Sequence, residues 1–128
     1  MPTYIQPDIV ANWDDTICRR EKLSEEFIRE HQDKVNWFDI CYYQALSEDF
    51  IREFKDKVDW GRLCWKQDLS EDLIREFQDR VDWWAISDSQ NLSEEFILEF
   101  SDRLDLELIL QFQFLDQETR EHLKLLKG

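Results

Sequence analysis

The chain has 128 residues, of which 42% are hydrophobic and 14% aromatic, so it can bury one core, has no room for a second, and is too apolar to stay disordered. A formal charge of −14 and a pI near 4.4 argue against direct contact with nucleic acid or an anionic membrane, and for a protein partner with a basic surface. Two glycines (Gly61, Gly128) and two prolines (Pro2, Pro7) leave little for sheet hairpins to turn on, which favours helices.

Taken in chain order, the elements repeat. Residues 1–22 read as a degenerate N-terminal half-repeat, in which Asn12-Trp13 and Ile17-Cys18 match the second half of the units that follow, with one extra residue after the tryptophan. Leu-Ser then begins at Leu23, Leu46, Leu69 and Leu92, marking full repeats of 23 residues at 23–45, 46–68, 69–91 and 92–114. Residues 115–128 open a last unit and predict a C-terminal capping helix.

Each full repeat predicts two helices. Ser24 can cap the first, acidic Glu25 and Glu26 suit its positive end, and Leu23 with Ile28 has the spacing of a hydrophobic staple. The staple recurs as Leu46/Ile51, Leu69/Ile74 and Leu92/Ile97. Phe27, Ile28, His31 and Val35 follow on one stripe, as do Phe50, Ile51, Phe54 and Val58. The second helix restarts at Asn36, Asp59 or Asp82, and Trp37, Ile40, Cys41 and Gln44 share one of its faces. Residues 104–115, LDLELILQFQFL, alternate like a strand, but the register places Leu106, Ile109 and Leu110 where earlier repeats have Trp, Ile and Cys. A hairpin this short cannot bury its apolar face alone, so the expected fold is an all-α solenoid of stacked helix hairpins forming a single domain over 1–128.

The recurring motif, LSE-x-F-I-R-E-F…D-K-V-x-W…I-S…Q, resembles the short acidic tandem repeats of large DNA virus and phage proteins. The resemblance covers the four full repeats and implies a helical array of viral or phage origin, with no activity to carry over. The fourth repeat departs most, having Leu98 for arginine and Leu106 for tryptophan.

The chemistry-bearing residues follow the repeat and do not converge. Cys18, Cys41 and Cys64 occupy one register position, continued by Ser87 and Leu110, and stacked helices would hold them too far apart for a disulfide or a shared zinc ion. They read as a ladder of small buried residues. His31 stands in the slot of Phe54, Phe77 and Phe100, and the repeat serines sit at caps. With no phosphate loop, metal motif or nucleophile–base pair, the sequence predicts a binding protein without cofactors and not an enzyme. No apolar run approaches the ~20 residues of a membrane span, and no basic-then-apolar leader precedes the repeats, so an intracellular location is expected, in host cytoplasm or nucleus if viral.

Two surfaces are candidates for binding. The formal charge is −1 in the leader, −3, −1, −4 and −5 in the four repeats, and zero in the tail. Glu71, Asp72 and Glu76 therefore align with Glu94, Glu95 and Glu99 as an acidic ridge that could partly mimic nucleic acid, at roughly half the charge density of a duplex. The second helices vary at their outer positions, which hold Phe38, Tyr42, Tyr43, Arg62, Trp65 and Trp84, residue types that dominate binding hot spots. The function these features imply is a protein-binding repeat module, specifically an inhibitor of a host nucleic-acid-binding or defence protein. The alternative is a self-assembling scaffold, homodimeric through the surplus apolar residues Leu108, Phe112 and Phe114.

Overall fold

A computed structural model describes residues 17–113 and 115–127. The leader residues Asn12 and Trp13 lie outside the described residues. All regular elements among the described residues are helical: α1 (Ile17–Arg20), α2 (Glu25–Glu30), α3 (Trp37–Tyr43), α4 (Glu48–Glu53), α5 (Trp60–Lys66), α6 (Glu71–Glu76), α7 (Trp83–Ser89), α8 (Glu94–Glu99), α9 (Leu106–Phe112) and α10 (Gln117–Lys127). The strand-like segment is thus a helix, α9. Leu108 and Phe112 fall within it because cap and register outweigh a local alternation.

The starts of α2 to α9 follow one of two recipes. Ser24, Ser47, Ser70 and Ser93 sit in extended backbone and accept from the amide three residues on, at Phe27, Phe50, Leu73 and Phe96. Asn36, Asp59, Asp82 and Asp105 do the same for Asp39, Arg62, Ala85 and Leu108. The first helices are six residues long, so the stripe that ends at Val35 outruns its helix. A tight turn completes it, with the amides of Lys34 and Val35 both donating to the His31 carbonyl at 2.8 and 3.0 Å. No described residue has positive φ, and Gly61 lies inside α5 in helical conformation. Side-chain caps do the turning that glycine does elsewhere.

The chain divides into two compact units, residues 1–67 and 68–128. In the first, α1 packs on α3 and α3 on α5; in the second, α7 packs on α9 and α9 on α10. Each unit therefore contains helix hairpins stacked side by side, the packing that defines an α-solenoid. The core lies between the first-helix and second-helix rows. In the first unit it holds Ile17, Ile28, Ile40, Phe50, Ile51 and Leu63; in the second, Leu73, Ile74, Ile86, Phe96, Ile97 and Ile109. Tryptophan ties one hairpin to the next. The Trp37 ring lies 5.3 Å from Phe54, and the Trp83 ring 5.1 Å from Phe100. Each indole also donates to a carbonyl five residues back, Trp37 to Gln32 and Trp83 to Gln78.

Candidate binding surface

The acidic first-helix row is largely engaged in holding successive repeats together. Glu71 accepts from both the amide and the hydroxyl of Ser93, at 2.6 and 2.9 Å, so one carboxylate secures the cap of the next repeat. Glu25 does the same for Ser47, and Glu94 accepts from the Asp116 amide and the Thr119 hydroxyl. A second ladder steps by 24 residues. Arg29 grips Glu53 through Nε and a terminal nitrogen, both at 2.8 Å, and Arg75 grips Glu99 at 3.0–3.3 Å. These contacts push both arginines further up and pull the Glu53 carboxyl below the usual carboxylate range, chiefly through the side-chain hydrogen bond. Lys57 with Asp33 and Arg103 with Asp79 make the same step in the turns.

Of the six ridge carboxylates, Glu71, Glu94 and Glu99 thus accept bonds from neighbouring repeats, and Asp72 lies 3.3 Å from Arg75. Glu76 and Glu95 are exposed. The sequence brings these acids to one row with Arg75 among them, but does not reveal that Arg75 bonds Glu99 of the next repeat, cancelling part of their field.

The second helices differ. Their inner faces are sealed by two polar devices. Gln44 accepts from the Leu23 amide at 2.9 Å and donates to the carbonyls of Cys18 and Glu21 at 2.8 and 2.7 Å. Gln67 makes the equivalent three bonds to Leu46, Cys41 and Gln44. The amide of Leu69 donates to Gln90, and that of Leu92 to Gln113. The cysteine position is also polar in use. Cys41 Sγ accepts from the Asp59 amide at 3.3 Å, and Ser87 Oγ from the Asp105 amide at 2.8 Å. Neither role is visible from amphipathicity, although the recurrence of glutamine at 44, 67, 90 and 113 was a signal. All three cysteines are buried thiols that form no disulfide, and burial pushes the Cys41 thiol up to about 12.

The outer faces carry the aromatic set. Phe38, Tyr43 and Trp65 in the first unit and Trp84 in the second are 43, 52, 40 and 53% exposed, high for rings of their size. Tyr42 is half-buried, with its ring centroid 4.6 Å from that of Tyr43. Arg62 lies over the Phe38 ring at 4.0 Å, and Lys66 over the Tyr42 ring at 4.6 Å. The structure therefore joins five of the six aromatic-face residues on the paired helices α3 and α5. Trp84 lies on α7, in the second unit.

Comparison with protein-family models, curated proteins and solved structures finds no match. The surface has to be read from its own chemistry. Among the described residues, no group of three or more His, Cys, Asp and Glu side chains is placed to hold a metal ion, and no helix is long and apolar enough to cross a membrane. Of the residues proposed for self-association, Leu108 is half-buried in α9. The side chain of Phe112, and Phe114 as a whole, lie outside the described residues.

Proposed function

We propose that the protein is a non-catalytic, protein-binding helical-repeat module that makes contact through the outer faces of the second helices within each unit. One observation carries this reading. The positions that hold the repeats together are nearly constant, while large rings at the variable outer positions are left exposed. Tyr, Trp and Arg contribute most per residue at protein interfaces, because they cover large areas at low conformational cost. The resemblance to viral and phage repeats supports a host protein as target. Inhibition by an acidic, nucleic-acid-like ridge gains less support from the geometry, since three of its six carboxylates bond neighbouring repeats. The exposed Asp72 and Glu95 suit a lesser role, the long-range steering of a basic partner.

The test is a binding measurement on the isolated partner, purified after capture from host lysate. Replacing Tyr43, Trp65 and Trp84 together by alanine should raise the off-rate at least about tenfold while the helical circular dichroism is unchanged. Reversing Asp72 and Glu95 to lysine should alter only the on-rate and its salt dependence. Unchanged kinetics in the aromatic variant would end this reading.

A further inference from the structure

The 24-residue step between neighbouring repeats has two chemistries. Along the first helices and their turns it pairs a cation with a carboxylate, as in Arg29–Glu53 and Lys57–Asp33. Along α3 and α5 it pairs a cation with a ring, as in Phe38–Arg62 and Tyr42–Lys66. Arg62 and Lys66 have no carboxylate partner among the described residues, in a chain with 30 acidic side chains to offer. Acidic residues are also missing from the outer positions of this face. Asp39, at the register position of Arg62, is buried, and α5 contains no acid. In α1 the register puts Arg19 and Arg20 at the positions of Tyr42 and Tyr43.

A cation held against a ring is positioned without being neutralised. The aromatic face orients the charge and shields one side from water, while its outward N–H groups still need acceptors. Arg62 takes this furthest, since its Nε is buried with no hydrogen-bond partner. An anion arriving at the terminal N–H groups would meet a guanidinium already held against a ring, with little ordering cost. Arg62 and Lys66 are one helical turn apart, so their Cβ atoms lie about 6 Å from each other on the helix that carries Trp65.

We propose that the α3–α5 face is a receptor for a short acidic peptide segment. Arg62 and Lys66 take two of its carboxylates, and Phe38, Tyr43 and Trp65 take the apolar side chains between them. This rests on the second helices being the binding face and adds the chemistry of the partner. Charge complementarity on this face comes from two cations, and that selects among anions. A polyanion such as single-stranded nucleic acid would suit the rings and cations locally but would meet the field of the remaining chain, net −14. A segment with two or three carboxylates on an otherwise neutral or basic protein escapes most of that repulsion.

The experiment is selection of random dodecapeptides displayed on phage against the full chain, followed by affinity measurements on the selected peptides and on an oligothymidylate. The expected peptides are enriched in Asp and Glu next to aromatic or aliphatic residues. Arg62→Gln with Lys66→Gln should weaken them at least about tenfold, and raising salt from about 0.05 to 0.5 M should weaken them further. Lys66→Glu, a change at an exposed position, should shift selection toward basic peptides, a gain that misfolding cannot imitate. Peptides no more acidic than the library, or indifferent to Arg62→Gln with Lys66→Gln but weakened by Tyr43→Ala with Trp65→Ala, would overturn the acidic-peptide proposal and leave the binding face standing. No enrichment, or indifference to both variants, would overturn both. Tighter binding of the oligothymidylate than of any selected peptide would overturn the peptide class.

Discussion

At the residue scale, the side chains that hold repeats together are small polar ones placed where apolar packing would be expected. Gln44 is 5% exposed and satisfies one amide and two carbonyls at the junction of consecutive repeats. An isosteric apolar side chain would fill the space but leave a buried N–H without an acceptor. Gln44→Leu should therefore cost about 1–3 kcal/mol in urea unfolding, with the helix content of the folded protein unchanged. Cys41 is the second such case. Its thiol accepts from the Asp59 amide and is pushed up to about 12, mainly by burial, with the Asp59 contact a smaller, opposing influence. The folded thiol holds its proton to higher pH than the unfolded one. Its contribution is complete below about pH 9 and is lost as pH rises through the folded value. Cys41→Ser should fold, because Ser87 does the same work in the second unit. Unfolding free energies from urea titrations between about pH 8 and pH 10.5 should fall more for wild type than for Cys41→Ser, by about 1.4 kcal/mol per pH unit at most. Equal slopes would mean that the thiol ionises as easily folded as unfolded.

At the scale of elements, caps were legible and pairings were not. Ser24 and Asn36 announce helix starts because a cap is a local event, read from a few consecutive residues. The strand-like run at 104–115 competed with the register for the complementary reason: alternation is local too, and only the 23-residue register shows that a helix capped by Asp105 begins at Leu106. The 24-residue ladders need two repeats in three dimensions, so the sequence showed Arg75 and Glu99 only as parts of a charge count. Once seen, the ladder explains a departure noted from sequence. Leu98 stands in the arginine slot, and one step on His122 stands in the glutamate slot, where the two line one shallow pocket with Glu118 and Thr119. Both ends of the pair changed together. Leu98→Arg with His122→Glu should rebuild the ion pair. A double-mutant cycle should show favourable coupling of about 0.2–1 kcal/mol, modest because the site is exposed and screened by salt. Zero coupling, with both single variants neutral, would mean that α10 does not continue the first-helix row.

At the scale of the whole molecule, the two units share one construction rule, in which each hairpin is stabilised by its neighbours. The all-helical class and the repeat boundaries followed from internal self-similarity, which needs no contact information. The proposed binding face was only half legible. Variable aromatic positions stood out, but pairing each cation with a ring required knowing which residues sit 24 apart in space. The same rule makes a prediction about the second unit. There α10 buries Leu123 completely, its Asp116 and Thr119 bond Glu94, and Arg120 donates to the Leu110 carbonyl at 2.7 Å. The Asp116 carboxyl is held below the usual range, first by the Thr119 amide. Ending the chain after Gln113 removes all of this from one side of α8 and α9. It should cost about 2–5 kcal/mol, comparable to emptying a buried leucine site, and the loss should be local. Hydrogen exchange should show α8 and α9 losing protection first, while α6 and α7 keep most of theirs. Equal loss across all four helices would show that the second unit unfolds as one cooperative body, and the nearest-neighbour account of its stability would then be wrong.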